Sequence, residues 1–173
     1  SRMRAQMLNV CLPVAGALAW HLPGLAQSMI GSERTGLQIQ VKPLGYDEVV
    51  SFYLGRGLAG TVVERYARRC VLRARLRNVG PTAKISTKLN EWILLASGQP
   101  PRPIEGRSHW VAEIEHSHPS QEARMAFEWS QLADAINLDA GDSVQGMIFL
   151  PLQRGIEFDL IIHWRSGGRS EEH

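Results

Sequence analysis

Cysteine is scarce in this chain: 173 residues hold only two, Cys11 and Cys70. That excludes a disulfide-dense scaffold and leaves the fold to an apolar core. Lysine is scarce as well. Lys42, Lys84 and Lys88 are the only lysines among 19 basic residues, and the formal charge is just +2. Without Arg2 and Arg4 the acids and bases nearly cancel, so the chain lacks the charge footprint of a general nucleic-acid binder. Signatures of chemistry are also missing. There is no Gly-x-Ser-x-Gly elbow, no phosphate-loop spacing and no dinucleotide glycine pattern. The length suits one domain, and no internal repeat suggests a second.

A single long apolar run is present, from Met7 to Trp20, behind the basic Arg2 and Arg4. Pro23-Gly-Leu-Ala26 then places small residues where a signal peptidase reads. Residues 1–26 therefore read as a signal peptide cut after Ala26, which predicts a periplasmic or secreted protein. The run falls short of the roughly 20 apolar residues of a membrane span, so no span is expected after cleavage. Loss of Cys11 would leave Cys70 without a partner in its own chain, as a small buried apolar residue. Residues 27–36 read as a flexible leader and 167–173 as a disordered tail.

Between them, 37–166 form the expected domain, organised around Cys70-Val-Leu-Arg-Ala-Arg-Leu-Arg-Asn78. Its period of two predicts a half-buried strand, with Leu72, Ala74 and Leu76 inward and Arg73, Arg75 and Arg77 outward. Leu37–Val41 alternates in the same way. Asp47 is placed to cap a helix from Glu48 that stops at Gly55-Arg-Gly57. A second helix spans about Ala59 to Arg69, with Val62, Val63, Tyr66 and Ala67 on its apolar side. Arg56 is expected to be buried and to tie helix to sheet.

Beyond Asn78 the chain reads as strands. Thr82–Leu95 supplies Ile85, Leu89, Trp92 and Leu94 to the core, and 97–107 is a loop. Alternation in His109–Glu115 and in Met125, Phe127 and Trp129 predicts two further strands. Leu132–Asp142 is a connection, and Val144–Leu150 and Ile156–Trp164 close the chain as a hairpin. The expected fold is mainly β: an immunoglobulin-like antiparallel β-sandwich with a short helical insertion near the N-terminus.

Several residues also carry a likeness. Phe52-Tyr-x-x-Arg-Gly57, Cys70 opening a strand that ends in Asn78, Phe127-x-Trp-x-x-Leu132, Gly141, Gly146 and Phe158-x-Leu160 recur in that order. In these the chain resembles an uncharacterised family of small exported bacterial proteins with an immunoglobulin-like domain. The resemblance implies the fold and export, and it brings no catalytic residue.

The functional expectation is an exported, non-enzymatic binding or assembly module without a cofactor. It would meet another envelope protein through loops or an exposed strand edge. Six arginines between Arg65 and Arg77 are expected to pair largely with acids, and Arg73, Arg75 and Arg77 are the candidate surface for an anionic partner. The alternative is a periplasmic copper- or zinc-binding protein. His116-x-His118 at a strand end would supply two ligands, with His109 or Glu115 completing the set.

Overall fold

The computed structural model describes residues 2–7, 28–31 and 36–167, the first two segments as backbone only. The apolar run beyond Met7, Cys11, the cleavage motif and the tail after Gly167 lie outside the described residues. The described chain is mainly β, with antiparallel strands in three small sheets and four α-helices.

The organising sheet has four strands. Leu37–Pro43 is β3, Arg69–Asn78 is β4 and Ser143–Gln153 is β9. β4 lies between β3 and β9, and Ser28–Gly31 (β2) adds outside β3. Ser28–Gly31 is thus a paired strand rather than leader; it covers an edge of β3 that would otherwise expose its peptide groups. The second sheet runs Arg2–Met7 (β1), Phe158–His163 (β10), Ile93–Ala96 (β6) and Arg102–Pro103 (β7). The third joins Arg165–Ser166 (β11), Ile85–Lys88 (β5) and Ala135–Leu138 (β8).

One apolar cluster receives inward side chains from all three sheets, among them Leu37, Ile39, Leu72, Leu76, Trp92, Ile148, Leu160 and Trp164. Leu72, Ala74 and Leu76 are buried and Arg73, Arg75 and Arg77 exposed, as the alternation requires. Asn78 is buried at the strand's end with its amide satisfied. It donates to the carbonyls of Ala83 and Leu138 and accepts from Gly80 N–H.

A second cluster covers part of the opposite face of the central sheet. Val71 of β4 and Met147 and Phe149 of β9 meet Tyr46–Leu54 (α1), Gly60–Ala67 (α2), Arg107–Glu115 (α3) and Gln121–Ser130 (α4) there. Tyr53, Tyr66, Trp110, Phe127 and Phe149 form its aromatic centre, with ring centroids 5.2–6.2 Å apart in the tilted and edge-on pairs.

Two of the expected strands are helices, so the helical part is not one short insertion. Over 107–115 the buried residues are Trp110, Val111 and Ile114, a helical spacing, while Ala112 is exposed. Over 121–130 they are Ala123 and Phe127, four apart, and Trp129 is 73% exposed. The connection after Leu132 contains β8, and α1 begins at Tyr46, capped by Gly45 rather than by Asp47. Cys70 is fully buried, as expected, and it is disulfide-bonded rather than a lone thiol.

Arg56 is exposed, bonded to the Phe52 carbonyl and stacked on the Phe52 ring, so it ties nothing to the sheet. Arg154 has that task. From the β9–β10 turn its Nε reaches the Ala67 carbonyl at 2.7 Å and its Nη1 the Leu44 carbonyl at 2.8 Å.

Candidate functional site

The opposite face of the central sheet is divided. Helices cover it around Val71 and Phe149, and beyond their edge the face is exposed and polar. Register aligns three rows there. Lys42, Gln40 and Gln38 of β3 stand opposite Arg73, Arg75 and Arg77 of β4. On the other side Gln145 and Ser143 stand opposite Arg75 and Arg77. Same-face residues on a strand recur every two positions, roughly 6–7 Å, so the three guanidinium stems form a row about 13 Å long.

This face is cationic by composition. Neither β3, β4 nor β9 contains an aspartate or a glutamate, and neither does Ser28–Gly31. Among the described residues no carboxylate makes an ion pair with Arg73, Arg75 or Arg77. Among the described residues, Glu48 pairs with Lys42 at 3.4 Å, and Asp142 accepts from the Asp139 N–H. A shallow depression of about 60 Å³ lies between Gln38, Gln40, Arg75 and Arg77.

No family model, curated protein or solved structure matches this chain.

The contrast with the other arginines is informative. Arg65 and Arg69 share Glu113, Arg68 faces Glu64, Arg124 lies between Glu115 and Glu128, and Arg165 forks onto Glu91. The expectation that arginines pair with acids holds for Arg65, Arg68 and Arg69 and, among the described residues, fails for Arg73, Arg75 and Arg77.

The residues of the metal alternative are not gathered. His116 and His118 follow the end of α3 rather than of a strand; His116 Nδ1 lies 3.1 Å from the Glu113 carbonyl, and His118 has a φ of 50°. Glu115 is paired with Arg124. His109 lies two turns earlier, with Nδ1 3.4 Å from Glu105 and Nε2 3.8 Å from Glu113. Among the described residues no group of three or more His, Cys, Asp or Glu is arranged to hold a metal ion.

A larger cleft of about 310 Å³ opens beside the start of α3, lined by Lys88, Asn90, Gly106, Ser108, His109, Asp134 and Ala135. Two of its polar groups, Ser108 and Asp134, hold the helix. Asp134 accepts from both Ser108 N–H (3.0 Å) and Ser108 Oγ, closing the N-terminus of α3 from the neighbouring sheet. Gly106 makes this possible, because a Cβ there would collide with the Asp134 carboxylate. Ser108 is thus bonded to the acid directly while His109 faces Glu105 and Glu113, which is not the relay of a hydroxyl nucleophile.

Sequence reasoning named Arg73, Arg75 and Arg77 and missed Lys42, Gln38, Gln40 and Gln145 beside them. The signal was there to be read: three strands with no acidic residue.

Proposed function

We propose that the chain is an exported, non-enzymatic binding module, and that its recognition surface is the arginine face of the central sheet. The observation that carries this reading is the row Arg73, Arg75, Arg77 on strands that contain no carboxylate and, among the described residues, with no ion pair, whereas Arg65, Arg68, Arg69, Arg124 and Arg165 are each paired with an acid. Three arginines held at regular spacing on a rigid strand repel one another. A solvated surface gains nothing from that repulsion, whereas an anionic partner relieves it.

The N-terminal basic and apolar segment and the resemblance to small exported proteins support export. The packing of the sheets over a shared core supports the sandwich reading, with the helical layer bracing one end of it.

Retention on a sulfated matrix tests this proposal. The protein should elute at a salt concentration well above that of a charge-matched control, and Arg73→Gln/Arg75→Gln/Arg77→Gln should abolish the excess. Equal elution of the triple variant and the parent would overturn it. A control variant with Arg65→Gln and Arg68→Gln removes two paired arginines and should elute close to the parent.

A further inference from the structure

Resting on the reading of the arginine face as the binding surface, we infer that its partner is a linear acidic polysaccharide. Three features of the face select this class. The first is shape. The charges lie in a straight row on a strand flanked by two others, with only a shallow depression between Gln38, Gln40, Arg75 and Arg77. A compact anion would require convergent groups in a pocket. An extended polymer needs repeated charges along a line, which the strand's period of about 6–7 Å supplies.

The second feature is what lies beside the charges. Gln145 and Ser143 of β9 stand opposite Arg75 and Arg77. An amide and a hydroxyl each donate and accept, as a sugar hydroxyl does, so a row of groups for hydroxyls runs alongside the row of groups for acids. Arginine's planar fork adds bidentate pairing to carboxylate or sulfate.

The third feature separates this polymer from a nucleic acid. Single-stranded nucleic acids are held by aromatic platforms on which bases stack. Among the described residues, the exposed register positions on β3, β4 and β9 offer none, being Lys, Gln, Arg and Ser. Nor does a flat sheet of this width enter a duplex groove as a helix or a two-stranded ribbon does.

The test is calorimetric titration of the purified protein with oligogalacturonates of two to eight units. Affinity should climb with length until the oligomer spans the arginine row and then level off. For the longest oligomer the slope of log K against log salt should be about −2 to −3, one counterion for each of three arginines neutralised. Arg75→Gln alone, at the centre of the row, should lower that slope by about one. Single-stranded oligonucleotide of matched charge and vesicles rich in anionic lipid serve as competitors.

Affinity independent of oligomer length would overturn the inference, as would tighter binding of the oligonucleotide or the vesicles. If the protein is retained on the sulfated matrix through the arginine row yet ignores every oligogalacturonate, the binding face stands and the polysaccharide is the wrong partner. If the matrix does not retain it, both readings fail together.

Discussion

Two tyrosines show what burial does to a single group here. Tyr53 is fully buried, with its hydroxyl 2.7 Å from Ser130 Oγ and 3.4 Å from Met147 sulfur. Desolvation pushes its ionisation far above the ordinary tyrosine range, and the same cause, aided by Glu113, raises Tyr66. In both cases the folded pKa exceeds the unfolded one. The contribution to stability is therefore complete below the unfolded value and is lost as pH rises past it. Unfolding free energy should start to fall near pH 10, by up to about 1.4 kcal/mol per pH unit for each tyrosine. Denaturant melts between pH 8 and 11 measure this, and Tyr66→Phe should make the decline shallower. An unchanged decline in that variant would mean that other groups govern alkaline unfolding.

At the scale of elements, Asp134 is the residue that joins α3 to the sheet side of the molecule. It satisfies the N–H and hydroxyl of Ser108 from the segment just before β8. Asp134→Ala should cost about 1 kcal/mol, the usual penalty for a lost N-terminal cap. Hydrogen exchange should quicken in the first turn of α3 and remain unchanged in α4, whose start is capped by its own Ser120. Equal acceleration in both helices would show that the loss is global.

These two helices are also where sequence and structure part. For β4 the period of two is unambiguous, since charged and apolar residues alternate without exception from Leu72 to Arg77. Over 109–115 both periods fit, because Trp110 and Ile114 belong to a two-residue and to a four-residue repeat alike. Val111, buried, and Ala112, exposed, decide for the helix, and neither residue type announces its side. Over 121–130 the signal was available in Pro119-Ser120, a stop followed by a capping residue, ahead of Gln, Glu, Ala and Arg. Alternation of Met125, Phe127 and Trp129 outweighed it, yet Trp129 faces solvent. The arginine row was legible residue by residue. Its neighbours were not, since Gln40 and Gln145 meet Arg75 only through pairings that long separations in sequence conceal.

For the whole molecule, the disulfide at Cys70 sets a covalent expectation. The unfolded, unreduced protein should take up no alkylating reagent at Cys70, and it should do so only after a reductant is added; intact mass reads this directly. A chain cut after Ala26 contains Cys70 as its one cysteine. Uptake of a single alkyl group without reductant would therefore identify that form.

The place of β4 in the sheet has a consequence for how the chain comes together in time. One of its edges meets β3, close behind it in sequence, but the other waits for β9, which begins at Ser143. Arg154 secures Leu44 and Ala67 only after that, across 110 and 87 residues. Pairings so distant in sequence are slow to form. A chain emerging N-terminus first thus presents β4 as an open, apolar-faced edge until Ser143–Gln153 has been delivered. The strand on which the fold depends is completed only then, and until then it is the segment most in need of a chaperone's cover.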